Sequence, residues 1–423
     1  MSADRAAGHG GSGGRPLALI GTRGFGAVHL EQMAPLRESG RIRLVGVVDV
    51  AEPDPGIGAP WFPTLDALLE GAEERPEILV VATPITTHAD LALAGLAAGC
   101  HLYLEKPPVP SLADHAQVLH EARRTGRSVQ VGFQARGGGG ATRMRELLAT
   151  GALGEVRSVD AYGAWLRDRA YYARSPWAGR RRMDGRRVAD GVATNPLAHA
   201  VDLALLTAGI TRAADIGVIT SELRRAHDIE ADDTTYLRVD PVGAAGPVDP
   251  SGTMSPAPFV HAALTTTAPV QEEPWIQIRG DQGRARLEYT TDRLEIVDAS
   301  GRATEERFGR ESLLENLLDH LDDPAVALLS PLESTEAFTT VLEATQSGPD
   351  PRPIDAEHVT WEGEGAAAHP LVHDVEDWMT RALDAGEPFS RIGAPFADPT
   401  AIHQTDPSTL GIDTHRTTGG DAR

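Results

Sequence analysis

The chain has 423 residues, a formal charge of −22 at pH 7 and a pI near 5.1. That acidity argues against nucleic acid and anionic membrane as partners, since both need clustered positive charge. No apolar run reaches the roughly 18 residues of a bilayer-spanning helix, and the single cysteine, Cys100, cannot form an intrachain disulfide, which points to a reducing cytoplasm.

Residues 1–14, rich in Gly, Ala and Ser and without an apolar stretch, read as a disordered tail rather than a signal peptide. From Pro16 strand and helix patterns alternate. Leu17-Ala18-Leu19-Ile20 is an apolar strand followed by a glycine turn and a helix from about Ala27 to Ser39. Arg43 to Asp49 is a second strand, and Glu77 to Ala82 a third beyond a short helix at Leu65 to Gly71. Their near-continuous apolar character suits parallel strands covered on both faces. A helix over Thr87 to Gly99, a strand at His101 to Leu104, a helix over Ser111 to Thr125 and a strand at Ser128 to Phe133 complete the series. Repeated βαβ units in this order predict a doubly wound parallel sheet over 15–135.

After the glycine run 137–140 and a helix near Ala141 to Thr150 the pattern changes. Val156 to Gly163, Thr234 to Val239, Phe259 to Thr266 and Trp275 to Leu287 alternate with period two, which predicts an antiparallel sheet with one wet face. Pro241 to Pro258 is a Pro/Gly loop. Helices are expected near Glu311 to Leu321, Leu332 to Thr345 and Val372 to Ala385. These elements make 136–397 a second domain, followed by a polar, disordered tail over 398–423.

Of 39 basic side chains, 38 are arginine and one is lysine. That lysine, Lys106, lies in Leu104-Glu105-Lys106-Pro107 at the carboxyl end of the fourth strand. A compact ammonium that donates from a point does what a planar guanidinium cannot. The turn Gly21-Thr22-Arg23-Gly24-Phe25-Gly26 stands between a strand and a helix, where glycines let backbone N–H groups approach a pyrophosphate. Arg23 occupies the second glycine position, so either Gly24 takes over the close approach or Arg23 pairs with a phosphate; an ordinary βα turn is the alternative. Asp49 ends the second strand, where a carboxylate accepts from a ribose diol and repels a 2′-phosphate, favouring NAD over NADP. It could equally be a strand-end turn aspartate. Thr83-Pro84 through His88 follows the third strand at the edge where open sheets bind ligands, although His88 by itself reads as a helix-start or core residue.

This ordered set, with Gly99-x-His101, Glu105-Lys106-Pro107 and Val131-Gly132-Phe133-Gln134, resembles the glucose–fructose oxidoreductase/inositol dehydrogenase (Gfo/Idh/MocA) superfamily over about Pro16 to Pro395. The resemblance implies an N-terminal Rossmann domain that holds NAD through Gly21, Arg23, Gly24, Phe25, Gly26, Asp49, Thr83, Pro84, His88, Glu105, Lys106 and Gln134. It also implies a C-terminal domain on a large, mainly antiparallel sheet whose open face forms a homodimer or homotetramer contact. Asp228 to Asp233 and the strand pair around Gly280 and Gly283 resemble that domain as well.

Asn195-Pro196-Leu197-Ala198-His199-Ala200-Val201-Asp202 resembles the family's Asp-x-Gly-x-His-x-x-Asp, with Asn195 in place of the aspartate and Leu197 of the glycine. The resemblance implies that His199, an imidazole titrating near working pH, moves the hydroxyl proton. It implies that Lys106 stabilises the developing alkoxide. Asn195 can orient substrate hydroxyls but cannot carry a negative charge or relay a proton, and Asp202 reads as a supporting residue or helix cap. Tyr172 and Trp177 have the aromatic faces that sugar sites use, though the rings could fill core or an interface. Arg182, within the basic cluster Arg180, Arg181, Arg182, Arg186 and Arg187, could recognise a carboxylate or phosphate, or belong to a solvated loop. His358, His369 and His373 beside Glu362 and Asp374 fit no metal-ligand spacing. The expectation is a cytoplasmic, NAD-dependent oxidoreductase acting on a secondary alcohol of a sugar or polyol. The alternatives are a redox-elimination enzyme of the same family and a non-catalytic dinucleotide or sugar sensor.

Overall fold

The computed structural model describes residues 13–243 and 257–411. Most of the expected N-terminal tail, most of the Pro/Gly loop and the end of the expected C-terminal tail lie outside the described residues. The chain forms two units: one ends at Glu105 and takes in Glu121–Val129, and the other comprises Lys106–His120 and the chain from Gln130 onward.

The first elements in chain order are β1 (Arg15–Ile20), α1 (Phe25–Glu38), β2 (Ile42–Val48), β3 (Trp61–Phe62), α2 (Leu65–Gly71) and β4 (Ile78–Val81). They are followed by α3 (His88–Ala97), β5 (His101–Leu104), α4 (Leu112–Thr125) and β6 (Val129–Val131). The strands form one sheet in the order β3-β2-β1-β4-β5-β6. Pairs β1–β2, β1–β4, β2–β3 and β4–β5 are parallel. Every residue of β4 and β5 is buried, as suits strands covered on both faces, and β5 includes the buried polar His101. In α1 the buried positions Gly26, His29, Met33 and Leu36 recur at helical spacing, so one stripe faces the sheet.

The second unit adds α5 (Gly139–Ala149), β7 (Val156–Ala164), α6 (Arg169–Ala173), β8 (Arg182–Met183), β9 (Arg186–Arg187) and α7 (Ala198–Thr207). Strands β10 (Ile216–Arg225), β11 (Thr234–Pro241), β12 (Phe259–Thr265), β13 (Trp275–Gly280), β14 (Gly283–Glu288), β15 (Arg293–Asp298) and β16 (Ala303–Arg307) follow. The remainder is α8 (Leu313–Asp322), α9 (Glu336–Ser347), β17 (Arg352–Pro353), β18 (Val359–Glu362), β19 (His369–Val372), α10 (Val375–Ala385) and β20 (Ile402–Thr405). A ten-stranded sheet runs β16-β15-β14-β13-β7-β12-β11-β10-β17, with β20 also on β10. It is antiparallel except at β7–β12 and β10–β17. The Gly280/Gly283 pair closes the β13–β14 hairpin, as expected.

Two expectations need correction. The central strands are not wet on one face. Tyr162, Ala164, Tyr236 and Ala263 bury against Val375, Met379, Ala382 and Leu383 of α10. Gly163, pointing to the other side, meets Leu197 just ahead of α7. Solvent reaches the sheet mainly toward β15 and β16. The region from 398 is not a featureless tail either, because Ile402–Thr405 pairs antiparallel with Ile219–Glu222 of β10. Main-chain bonds along an otherwise open edge hold this polar segment, which its side chains do not announce.

Helix α7 is buried nearly all round and carries Asp202 inside. The Arg136 guanidinium forks onto Asp202, with Nε donating to Oδ2 at 2.7 Å and Nη2 to Oδ1, and it also donates to Ser334 Oγ at 2.6 Å. Burial pushes the Asp202 carboxyl up, and the Arg136 fork offsets that rise in part. Removing one member of such a pair strands the other charge. Asp202→Ala is therefore expected to cost about 3–5 kcal/mol of stability, measured by equilibrium urea unfolding; a loss below about 1 kcal/mol would show that the pair is not needed.

Candidate functional site

In the first unit the glycine turn is built as a dinucleotide turn would be. Gly21 has φ +86°, and a Cβ there would lie 2.6 Å from the Ala82 carbonyl oxygen, so the turn closes only with glycine. Gly24 has φ +57°, and a Cβ there would meet nothing within 4 Å; its open side leaves the backbone approachable. No side chain caps α1, which starts at Phe25. An uncapped helix start behind an open glycine fits a pyrophosphate.

Asp49 lies at the end of β2, where Oδ2 accepts from Thr22 N–H at 3.0 Å and Thr22 Oγ1 at 2.6 Å. Arg23 reaches Oδ1 at 3.4 Å instead of pointing at the turn's open side. Partial burial works to raise the Asp49 carboxyl, but Thr22 and Arg23 outweigh it and hold the group below its ordinary range. A firmly ionised carboxylate at this place fits a ribose diol.

The edge beyond β4 and β5 divides into exposed and inward residues. Pro84 is exposed and Thr83 half-buried, with Thr83 Oγ1 and Thr87 Oγ1 2.7 Å apart. His88 points inward: its Nε2 lies 2.7 Å from the Thr83 carbonyl oxygen and the residue is buried, which matches the helix-start reading rather than a ligand contact. Glu105 is likewise buried, with His29 Nε2 of α1 2.7 Å from its Oε1. Sequence reasoning missed His29, whose one signal was a polar residue on the apolar stripe of α1. Gln134 opens a short 3-10 turn in the second unit, where Lys106 also falls.

The second unit brings the expected chemistry together. The Lys106 ammonium donates to the backbone oxygen and to the Oδ1 of Asn195, both at 2.9 Å. The Asn195 amide in turn donates from Nδ2 to Asp190 Oδ1. Asn195 therefore holds the lysine, a task the sequence did not reveal. Asp190 was not anticipated: it is buried, accepts from the Gly179 N–H at 2.6 Å and lies 3.6 Å from Arg174. Burial pushes its carboxyl up, and the bonds from Asn195 and Gly179 work against that rise.

His199, the second residue of α7, has its ring edge-on to Phe133, centroids 5.8 Å apart; the residue is part-exposed, but its Nδ1 is buried and has no hydrogen-bond partner among the described residues. Desolvation, then the charges of Lys106, Arg310 and Arg136, lower its pKa to about 3. The expectation that it titrates near neutrality is corrected: with one nitrogen buried and cations around it, the imidazole stays neutral.

Of the expected substrate residues, Tyr172 and Arg182 line a cavity of about 970 Å³ in this unit, whereas Trp177 does not and lies under Arg174 at 4.8 Å. The Tyr172 hydroxyl is 3.0 Å from Thr266 Oγ1. The basic cluster disperses. Arg181 caps the end of α9 through the carbonyls of Thr345, Gln346 and Gly348, and Arg187 pairs with Glu343 at 2.7 Å. Among the described residues no group of three His, Cys, Asp or Glu could hold a metal ion, and no helix is long and apolar enough to cross a membrane.

Comparison with known proteins places these features. Residues 16–133 match the model of the GFO_IDH_MocA oxidoreductase family, NAD-binding Rossmann fold. Inositol 2-dehydrogenase of Gluconacetobacter diazotrophicus is 30% identical over 152 residues, which cover 34% of this chain and 44% of that protein. A putative UDP-kanosamine synthase oxidoreductase subunit of Amycolatopsis mediterranei is 33% identical over 165 residues, covering 38% of this chain and 45% of that one. The chain thus spans less than half the length of these curated relatives. Among solved structures, the WlbA dehydrogenase of Bordetella pertussis, in complex with NADH and UDP-GlcNAcA, aligns with TM-score 0.62 and 21% identity over 79% of this chain and 96% of that one. An inositol dehydrogenase homologue of Azotobacter vinelandii, complexed with NAD+, aligns with TM-score 0.62 and 18% identity over 79% and 95%. At that identity the structures establish the fold.

The lowered His199 pKa has a consequence for stability. The unfolded chain takes up a proton at His199 from its ordinary value of 6.5 downward, while the folded chain resists until about 3, so stability falls as pH drops through that window. His199→Gln should make the fall between these limits shallower by up to about one proton, read from urea unfolding at a series of pH values. Parallel curves for wild type and variant would contradict the lowered pKa.

Proposed function

We propose that this chain is an NAD-dependent dehydrogenase of the Gfo/Idh/MocA oxidoreductase family, acting on a secondary alcohol of a sugar, cyclitol or sugar derivative. The observation that carries the reading is Lys106 fixed by Asn195 at two oxygens, in the same unit as a neutral, part-exposed His199. The dinucleotide would be held by the turn Gly21 to Gly26, with Asp49 on the ribose diol; Thr83 and Pro84 flank it on the same sheet edge. When bound, NAD+ supplies the acceptor for the hydride that leaves the carbinol carbon. The ionised Asp49 favours NAD over NADP, since it repels a 2′-phosphate.

The side chains divide the remaining work. Lys106 binds the substrate hydroxyl and stabilises the negative charge that grows on its oxygen. Its donors are aimed because Asn195, anchored by Asp190, leaves the ammonium little freedom; Asn195 is thus a positioning residue. His199, neutral at working pH and part-exposed, accepts the hydroxyl proton at a ring nitrogen as the hydride leaves the carbinol carbon, and then releases it to solvent water. Relatives that are inositol dehydrogenases, and a structural neighbour in complex with NADH and a nucleotide sugar, support the substrate class.

Lys106→Ala is expected to lower the rate of NADH formation on the substrate by about 100- to 1,000-fold, with NAD affinity by calorimetry changed only a few-fold. Equal rates in wild type and variant would refute the role of the lysine. Tight NAD binding with no turnover over a panel of sugars and cyclitols would favour the sensor. Asn195→Ala should lower the rate less, mainly through kcat, because the ammonium stays but loses its aim; an unchanged kcat with raised KM would instead make Asn195 a substrate contact.

A further inference from the structure

The cavity of about 970 Å³ in the second unit is lined by charge that the proposed chemistry does not use. Arg181 is spent on capping α9, and Arg180 lies 3.9 Å from Glu230. Among the described residues, Arg169, Arg182 and Arg225 have no carboxylate within ion-pair reach; with Arg180 and Arg181 they set five guanidinium groups on a cavity wall that also carries Asp228, Glu230 and Asp350, which leaves the lining net positive in an acidic chain. Arg169 lies over the ring of Trp361 at 4.7 Å, and Trp361, 43% exposed, meets His227 edge-on at 6.0 Å. Unpaired guanidinium groups around a concave wall are arranged to take an anion, and an exposed indole beside them offers a flat apolar face. The volume exceeds what a lone inorganic anion fills and suits a ligand of drug-like size.

This wall is tied to the Lys106 cluster. Gly179, which lines the cavity, donates to Asp190, the same carboxylate that accepts from Asn195. We infer that the cavity binds the anionic part of the substrate, so that the substrate is a sugar bearing a phosphate or a carboxylate, with Arg182 and Arg225 as the recognising groups. The word substrate rests on the reading of Lys106 given above; the preference for an anion does not.

The test is calorimetric binding to the full chain without nucleotide, using D-glucose 6-phosphate, D-glucuronate and D-glucose. At least one anionic sugar should bind about tenfold or more tighter than glucose, and which of the two does so separates phosphate from carboxylate. The preference should weaken with added salt. It should vanish in the Arg182→Ala/Arg225→Ala double variant and return in part with Arg182→Lys/Arg225→Lys. Arg182 is exposed and Arg225 part-exposed, both outside the core, so an unchanged melting temperature is expected and certifies the fold. Equal affinity for all three sugars, or a preference that survives the double alanine variant, would overturn the inference. Because the readout is binding, its failure is distinct from a failure of Lys106→Ala to abolish turnover.

Discussion

The grip of one asparagine on one lysine organises the candidate site. Lys106 stands at the start of the second unit's first segment and Asn195 just ahead of α7, and two bonds of 2.9 Å join them. An ammonium can donate in three directions and has no plane of its own. Its usefulness to a reacting oxygen depends on what fixes it. Here the fixing group is itself fixed by Asp190, a buried carboxylate that also takes the Gly179 backbone. The chain of bonds therefore runs from Lys106 to the wall of the large cavity without leaving the second unit.

A second constraint sets the electrostatics around that grip. Buried Arg136, forked onto Asp202 within α7, anchors the helix that presents His199. Desolvation of its buried edge, then the charges of Lys106, Arg310 and Arg136, keep the imidazole neutral.

In the first unit, packing and binding are separated residue by residue. Gly21 is pressed against the Ala82 carbonyl and serves closure of the turn, whereas Gly24 borders open space, which leaves its backbone approachable. Arg23 turns to Asp49 rather than across that opening. His88 and Glu105, both from motifs that attract attention in the sequence, are internal: one bonds the Thr83 carbonyl and the other His29. A motif residue can thus hold the edge of a binding site without facing it.

The sequence by itself determined the parallel sheet and its helices, because strands covered on both faces must be unbroken apolar runs, and turns at left-handed φ must be glycine. Helix α2 falls at the expected residues, and the other boundaries of this unit shift by only a few residues. It also marked Lys106 by its rarity, whereas His199 stood out only through the family resemblance. Strand β10 escaped notice, since its buried Thr220, Ser221 and Glu222 look exposed until Ser390 and β20 supply their partners. So did Asp190, α10 over the central strands and the dispersal of the arginine cluster into a cap, an ion pair and a cavity wall. Only the tertiary structure decided these, because the partner that satisfies a buried polar group, or the charge that shifts an imidazole, comes from a distant part of the chain that local pattern cannot reach.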